Sequence, residues 1–230
     1  MRLAKYGKTQ WLSATVLLVF MVIFSGVLLY VSLPVGCFIL VISLLAWGAF
    51  IAFFRDPHRV VGQDKTELVA PADGIVKDIE LIPNTSCENE VLRKLFDGYD
   101  ILRIGIVQSV FDVHINRVPC QMAIHTKVCR EKGDGSESAS LLLGGYGEIE
   151  GIRFPLALQQ LSASGLRRII CGADEGEEIK KGRKYGMIQS GCRVELYLPA
   201  KSPVSITINP GERVTAGKTV LAVFSREKQD

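Results

Sequence analysis

The chain has 230 residues, of which 48% are hydrophobic, and its 27 Lys and Arg against 24 Asp and Glu give a formal net charge of +3. So small a positive charge does not predict a nucleic-acid partner, but it is compatible with a domain that rests on anionic lipid. The six cysteines form no Cys-x-x-Cys pair and have no regular spacing, so no metal site is predicted, and we expect reduced thiols in the cytoplasm.

The first predicted element is a pair of membrane-spanning helices. No charged side chain occurs between Thr9 and Phe54, and about 20 apolar residues suffice for one helix to cross a bilayer. We therefore predict that residues 1–54 form a membrane anchor, a transmembrane helical hairpin with spans over residues 11–31 and 35–54.

The connection and the flanks of the hairpin predict its orientation. Pro34 and Gly36 are expected to form the turn between the spans. Basic residues stand on both outer flanks, at Arg2, Lys5, Lys8, Arg55 and Arg59. Because positive flanks stay in the cytoplasm, we predict an inner-membrane protein whose soluble domain faces the cytoplasm. A cleaved signal peptide would have a shorter apolar core. One span followed by a buried or interfacial helix remains the alternative.

The remaining residues, 55–230, are long enough for one compact domain, and their patterns predict mostly short strands with few helices. In the stretch 68–81, two apolar runs flank Asp73 and Gly74, a dipeptide that is typical of turns. Two further strands are predicted over residues 101–113 and 124–128. A short helix is predicted over residues 156–164.

An internal repeat also marks this domain. The segment GEEIKKGRKYGMI at 176–188 matches GERVTAGKTVLAV at 211–223, with an offset of 35 residues. Two copies are too few for a solenoid, so they predict a pseudo-symmetric β-sandwich or barrel-like fold with the glycines at turns. The pattern also resembles biotinyl and lipoyl carrier domains, although no modifiable lysine tripeptide lies between the copies.

Five motifs follow one another along the chain: FFRDPHR at 53–59, PADG at 71–74, FDVHINRVP at 111–119, SGLRRIICGADEGEEIKKG at 164–182 and GCRVELYLP at 191–199. Together with the hairpin, they resemble the short bacterial membrane-anchored phosphatidylserine decarboxylase proenzymes. The resemblance implies a pyruvoyl-dependent enzyme that converts phosphatidylserine in the membrane to phosphatidylethanolamine and carbon dioxide through a Schiff base, without a metal.

The resemblance also implies self-processing at one bond. Members of the family typically carry Gly-Ser where this chain has Gly191-Cys192. Residue 192 is expected to attack the preceding carbonyl, so that the chain breaks into 1–191 and 192–230. These two pieces would remain together as a heterodimer, with residue 192 converted to the pyruvoyl cofactor.

The chemistry of a Gly-Cys bond is compatible with this processing. A thiol one residue after Gly191 can attack its carbonyl through a five-membered ring, and the missing glycine side chain leaves that carbonyl open. The resulting thioester can lose the Cys192 α-proton and expel a thiocarboxylate. The dehydroalanine that remains tautomerises and loses ammonia to become a ketone, which can accept electrons as pyridoxal phosphate does elsewhere.

The resemblance assigns two further catalytic residues. Asp73 matches the aspartate of the family, and His114 matches a histidine next to the reactive carbonyl. Longer family members carry a second histidine where this chain has Arg117. A turn residue at Asp73 and a structural histidine at position 114 are the alternatives.

Three arginines are candidates for binding the lipid phosphate, because guanidinium groups match phosphate oxygens: Arg117, Arg167 and Arg168. Solvated surface charges are the alternative for all three. His58 and His125 are expected at the surface.

Two other functions stay open at this point. The chain could be a non-catalytic membrane-anchored relative that keeps the fold without processing, or a carrier-like β module. The sequence leaves the oligomeric state open, and a homo-oligomer is compatible with the decarboxylase as well as with both alternatives.

Overall fold

In the computed structural model of the protein, the chain divides into two compact units, Met1–His58 and Arg59–Asp230. The structure describes residues 2–4, 8–62, 64–130, 139–162, 169–188, 192–201 and 204–224.

The first unit contains the predicted helical hairpin. Helix α1 spans Lys8–Val31 and helix α2 spans Leu33–Phe53. Both are long and apolar enough to cross a membrane. The predicted turn was misplaced, because Ser32 alone separates the helices. Pro34 instead lies in the first turn of α2, where a missing N–H costs no helical hydrogen bond, and the Gly36 N–H donates to the Ser32 carbonyl at 3.0 Å.

Small residues bring the two helices together near this connection. The Ser25 hydroxyl of α1 donates to the Gly36 carbonyl of α2 at 3.1 Å. A Cβ atom at Gly36 would lie 2.7 Å from a methyl group of Leu29, so a larger residue there would push the helices apart. At the other end of the hairpin, strand β1 (Arg2–Leu3) pairs antiparallel with strand β2 (Arg55–Asp56). Both outer ends of the hairpin therefore lie together.

The second unit is mainly β, as predicted. Its strands are β3 (Glu67–Val69), β4 (Gly74–Ile82), β5 (Ile101–Val107), β6 (Ile115–Arg117), β7 (Gln121–Arg130), β8 (Ala139–Ile149), β9 (Ile152–Ser162), β10 (Ile169–Cys171), β11 (Glu178–Ile179), β12 (Lys184–Ile188), β13 (Cys192–Pro199), β14 (Val204–Ile206), β15 (Arg213–Val214) and β16 (Val220–Phe224). A short helix α3 spans Glu90–Leu95, preceded by a 3-10 turn at Asn84–Ser86.

Three antiparallel sheets enclose the core of this unit. The largest has eight strands in the order β11-β7-β8-β9-β13-β5-β4-β15, and the two smaller sheets have the orders β10-β12-β6 and β14-β16-β3. One apolar cluster takes side chains from all three, including Leu196 of β13, Tyr185 of β12 and Leu221 of β16. Burial of such apolar surface is the main force that holds the sheets together.

The sequence repeat corresponds to a pseudo-twofold arrangement. The two-residue strands β11 and β15 belong to the two copies and occupy the opposite edges of the eight-stranded sheet. Gly176 and Gly182 of the first copy have φ angles of 81° and 75°, and Gly211 and Gly217 of the second have 93° and 73°. Only glycine adopts such angles without strain, so each pair marks equivalent turns.

The symmetry extends beyond the copies that the sequence revealed. The Arg117 N–H donates to the Pro71 carbonyl at 2.8 Å, and the Val69 N–H donates to the Pro119 carbonyl at 3.0 Å. The two bonds are equivalent: Val69 corresponds to Arg117 and Pro71 to Pro119, each 48 residues further along the chain. The segment with the PADG motif is therefore the structural counterpart of the segment that ends at Pro119.

The predicted helix over residues 156–164 was wrong, because β9 runs to Ser162 as a strand. Its two faces are both buried: Leu158 joins the core between the sheets, and Ala157 joins a second apolar cluster that includes Leu92 of α3. A strand buried on both faces loses the alternation that identifies it in a sequence. The predicted strand over 101–113 is shorter, since β5 ends at Val107.

Candidate active site

One end of the eight-stranded sheet brings together four strand termini. Strand β4 begins at Gly74, β5 ends at Val107, β13 begins at Cys192 and β9 ends at Ser162. The register places them side by side, since Cys192 pairs with Ser162 and the next residue of β13 pairs with Val107. We call this end of the sheet, where these four neighbouring strands begin or finish, the site end. Gly191 and the Cys192 side chain lie outside the described residues.

Asp73 stands immediately before β4 at the site end. Its carboxylate accepts two hydrogen bonds from the Arg59 guanidinium, at 2.5 Å and 2.6 Å, and one from the Ala216 N–H at 2.8 Å. The side chains of Arg59 and Asp73 are only 7% and 13% exposed. A bidentate pair with so little exposure fixes both groups. Asp73 is thus more than a turn residue, and sequence reasoning missed Arg59 as its partner.

His114 is the next predicted residue and it is fully buried. Its carbonyl accepts a hydrogen bond of 3.2 Å from the N–H of Ile188, the last residue of β12. Ile188 stands three residues before Gly191. His114 is therefore anchored to the strand that leads into the predicted processing site.

Side-chain contacts fix the loop between β5 and His114. The Gln108 amide donates to the Val113 carbonyl at 3.0 Å. The Asp112 carboxylate accepts from the Ser109 N–H at 2.7 Å and from Arg213. Burial alone would raise the pKa of Asp112, but these hydrogen bonds and the Arg213 charge outweigh it and hold that pKa below its usual value of 3.8. The loop is therefore held by bonds between its own residues and is tied to β15.

Arg117 is buried, so it is not a solvated surface charge. Its Nη1 donates to the Gly182 carbonyl at 2.9 Å. Its Cδ lies 3.0 Å from the position that a Cβ atom at Gly217 would occupy. Gly217 follows Ala216, whose N–H binds Asp73, so Arg117 packs beside the segment that anchors Asp73. Arg167 and Arg168 lie outside the described residues, while His58 and His125 are exposed, as expected.

Arg193 is the second residue of β13 and fixes the strand directly after residue 192, and the sequence did not identify it. Its Nη2 donates to Asp78 and its Nε to Glu195, both at 2.6 Å. A Cβ atom at Gly105 would lie 2.5 Å from the guanidinium, so only glycine leaves room for this contact. Burial lowers the pKa of Arg193, but the hydrogen bonds to Asp78 and Glu195 and the charges of both carboxylates outweigh it and raise that pKa above its usual value.

Two of the other thiols, those of Cys120 and Cys171, are poor alternatives to Cys192 as a nucleophile. Burial raises the pKa of Cys120 to about 12, and burial likewise raises the pKa of Cys171. Protonated thiols are weak nucleophiles. Within the part of the chain that the structure describes, no group of three or more His, Cys, Asp or Glu side chains is placed to hold a metal ion.

Comparisons with known proteins identify the family. The family model described as phosphatidylserine decarboxylase matches residues 48–222. The chain belongs to the phosphatidylserine decarboxylase family. The match contains the site end, Asp73, His114 and the Gly191-Cys192 bond, and it excludes the carrier-like alternative.

Named relatives of this family cover most of the chain. A phosphatidylserine decarboxylase proenzyme from Rickettsia rickettsii (strain Sheila Smith) is 31% identical over 203 residues, which cover 84% of this chain and 80% of the relative. One from Desulfotalea psychrophila is 34% identical over 209 residues, which cover 86% of this chain and 90% of the relative. No solved structure matches the chain.

Proposed function

We propose that this phosphatidylserine decarboxylase family member cleaves itself between Gly191 and Cys192, and that residue 192 becomes a pyruvoyl group. The processed enzyme converts phosphatidylserine to phosphatidylethanolamine and carbon dioxide. The observation that carries the proposal is the position of residue 192, which opens a central strand at the site end, where β4 begins directly after Asp73. His114 is hydrogen-bonded to Ile188, the last residue of the strand that precedes residue 192.

The fold supports a stable two-chain product. Strand β13 of the downstream piece lies between β9 and β5 of the upstream piece. Two more downstream strands, β15 and β16, pair with the upstream strands β4 and β3. Cleavage at residue 191 would remove none of these pairings, because those of β13 begin at residue 192. The two chains would therefore remain one folded heterodimer.

The residues present also fit a pyruvoyl group at position 192. The ion pairs of Arg193 fix the backbone directly after it. Ser162, which pairs with residue 192, and His114 are both buried polar residues. A pyruvoyl carbonyl supplies an electron sink for the bond that breaks when carbon dioxide leaves. His114 transfers protons next to the pyruvoyl carbonyl. Asp73, held by Arg59, fixes the start of β4 at the site end.

Cys192 can perform the processing chemistry without a serine. A thiol is the better nucleophile, and its attack on the Gly191 carbonyl gives a thioester with a free amino group on residue 192. Loss of the Cys192 α-proton expels the Gly191 thiocarboxylate. The dehydroalanine then tautomerises, and water releases ammonia from it, which leaves the ketone.

An exposed apolar loop supports a lipid substrate in the membrane. The loop before His114 carries Val110 and Phe111, which are 55% and 83% exposed, and such apolar surface suits contact with lipid. We infer that Arg117, Arg167 and Arg168 bind the lipid phosphate.

We also infer that the domain faces the cytoplasm, so a cysteine placed at Ser32 should react with a label from the outer side of intact cells. Protection of position 32 together with an external C-terminus would contradict this orientation.

The proposed function is tested with the purified full chain and phosphatidylserine vesicles. Wild-type protein should show two polypeptides on a denaturing gel and release carbon dioxide. Cys192→Ala should remain one inactive chain, and Cys192→Ser should be processed and active.

The Gly-Cys pair favours one second candidate, a relative that keeps the fold without processing. Wild-type protein that remains a single polypeptide and releases no carbon dioxide would establish that candidate instead.

A further inference from the structure

Two buried amide side chains stand out in the core near the site end. Asn116 of β6 and Gln160 of β9 are fully buried. Among the residues that the structure describes, none of their four amide nitrogen and oxygen atoms has a hydrogen-bond partner. Leaving such groups without partners destabilises a folded protein. Buried amides of this kind therefore call for a functional explanation.

Both amides project into the same layer between the sheets. Gln160 pairs with Val194, whose side chain lies in the core, and directly paired residues of antiparallel strands share a face. Asn116 pairs with Gly186 in the same way. A Cβ atom at Gly186 would lie 3.3 Å from the Gln160 Nε2. The face of β6 that carries Asn116 is therefore turned towards Gln160, and we call the two residues the amide pair.

The amide pair lies one step deeper in the core than the site end. Val194 stands two residues after Cys192, Asn116 stands two residues after His114, and Gly186 stands two residues before Ile188. Two residues of a strand span about 6–7 Å. A serine head group joined at residue 192 would have its carboxyl group within reach of amide side chains at that depth.

The chemistry of an amide pair suits a carboxylate that must be lost. Amide N–H groups can orient both carboxylate oxygens without adding a positive charge. An arginine or lysine would stabilise the carboxylate more than the transition state, in which the negative charge leaves that group, and this would slow the reaction. Neutral donors in a buried layer avoid that penalty.

We propose that Asn116 and Gln160 form the subsite that binds the carboxylate of the serine head group before it leaves as carbon dioxide. This inference rests on the proposed function and names the part of the substrate that the amide pair recognises. The bond from the carboxyl carbon to the α-carbon breaks, its electron pair stays on the α-carbon side, and the amide pair gains and loses no atoms.

The test uses the full-length double variant Asn116→Leu/Gln160→Met in detergent micelles. Its Tm should rise above the wild-type Tm, because apolar side chains of similar volume replace amides without partners. It should still be processed into two chains. Its kcat/KM for phosphatidylserine should fall about 10²-fold or more, as expected for the loss of two hydrogen bonds to a charged group.

A binding measurement separates this role from a purely structural one. Glycerophosphoserine and glycerophosphoethanolamine differ only in the carboxylate, so wild-type protein should gain more thermal stability from the first. The double variant should lose this preference. Gln159→Met is the matched control, because Gln159 lies on the other face of β9 and accepts a hydrogen bond from the Tyr197 hydroxyl at 2.8 Å. That variant should have a lower Tm and keep the preference.

Retention of the wild-type preference by the double variant would overturn the proposal, whatever its Tm. If the double variant does not fold, Asn116→Leu and Gln160→Met are measured singly. Each should reduce the ratio of the two ligands' dissociation constants, as obtained from the thermal shifts, about tenfold. The binding measurement also separates the two proposals. Wild-type protein that stays uncleaved but prefers glycerophosphoserine would refute the self-processing and support the subsite, and uncleaved protein without the preference would refute both.

Discussion

Replacement of Arg59 by methionine should strongly destabilise the second unit. The Arg59 guanidinium donates two hydrogen bonds to Asp73 and one of 2.9 Å to the Ala216 carbonyl. Both partners of the ion pair are nearly buried. Removal of one partner from a buried pair costs about 3–5 kcal/mol, because the other charge stays in the core without compensation. For a domain of this size, such a loss lowers the Tm by about 6–20 °C.

The measurement is a thermal unfolding curve of the purified full chain in detergent. Arg93→Met is the matched control, because Arg93 pairs with Glu90 at 3.8 Å and these side chains are 50% and 73% exposed. Exposed pairs contribute about 0–1 kcal/mol, so this Tm should fall by at most about 4 °C. The double variant Arg59→Met/Asp73→Leu should recover part of the loss, since it leaves no buried charge. Equal Tm values for Arg59→Met and Arg93→Met would refute the anchoring role of the ion pair.

Three other perturbations test the loop and the strand beside the site end. His114→Ala should lower turnover by a factor of about 10²–10⁴ while the chain still folds, and parent turnover with equal amounts of processed enzyme would contradict its proton-transfer role. Arg193→Met should lower kcat about 100-fold with little change in KM, since it loosens the backbone that positions residue 192; a change in KM alone would count against this role. The pKa of Asp112 is lowered on folding, so its contribution to stability is present at neutral pH and is lost as the pH falls below about 4. Asp112→Asn should therefore have a lower Tm than wild type at pH 7 and a smaller Tm deficit at pH 3, and an equal deficit at both pH values would contradict the hydrogen bonds from Ser109 and the ion pair with Arg213 that are assigned to this carboxylate.

Local patterns in the sequence predicted the elements whose environment is simple. The two helices of the hairpin are apolar along almost their whole length, so an uncharged run of residues sufficed to place them. The turns at Gly176 and Gly211 were predictable because each requires a backbone angle that glycine favours. The same local patterns did not predict strand β9. Both of its faces are buried, so apolar and polar residues do not alternate along it.

Contacts between distant segments were beyond the sequence patterns. The partner of Asp73 is Arg59, and the motif FFRDPHR contains that arginine without indicating what it binds. Gln160 could be assigned to the core only after β9 was known to be a strand in register with β13. Such relations depend on how strands pair, and a shift of one residue would exchange the two faces.

The intact masses of freshly purified wild-type chains test the central proposal, self-processing at Cys192, most directly. Elimination from a thioester should leave residues 1–191 with one sulfur in place of one terminal oxygen, and residues 192–230 should begin with a ketone that borohydride reduces. Cys192→Ser should give the same downstream chain and an ordinary carboxylate on Gly191. A single wild-type mass of 230 residues, with Cys192 still alkylated as a free thiol under decarboxylase assay conditions, would contradict the proposal.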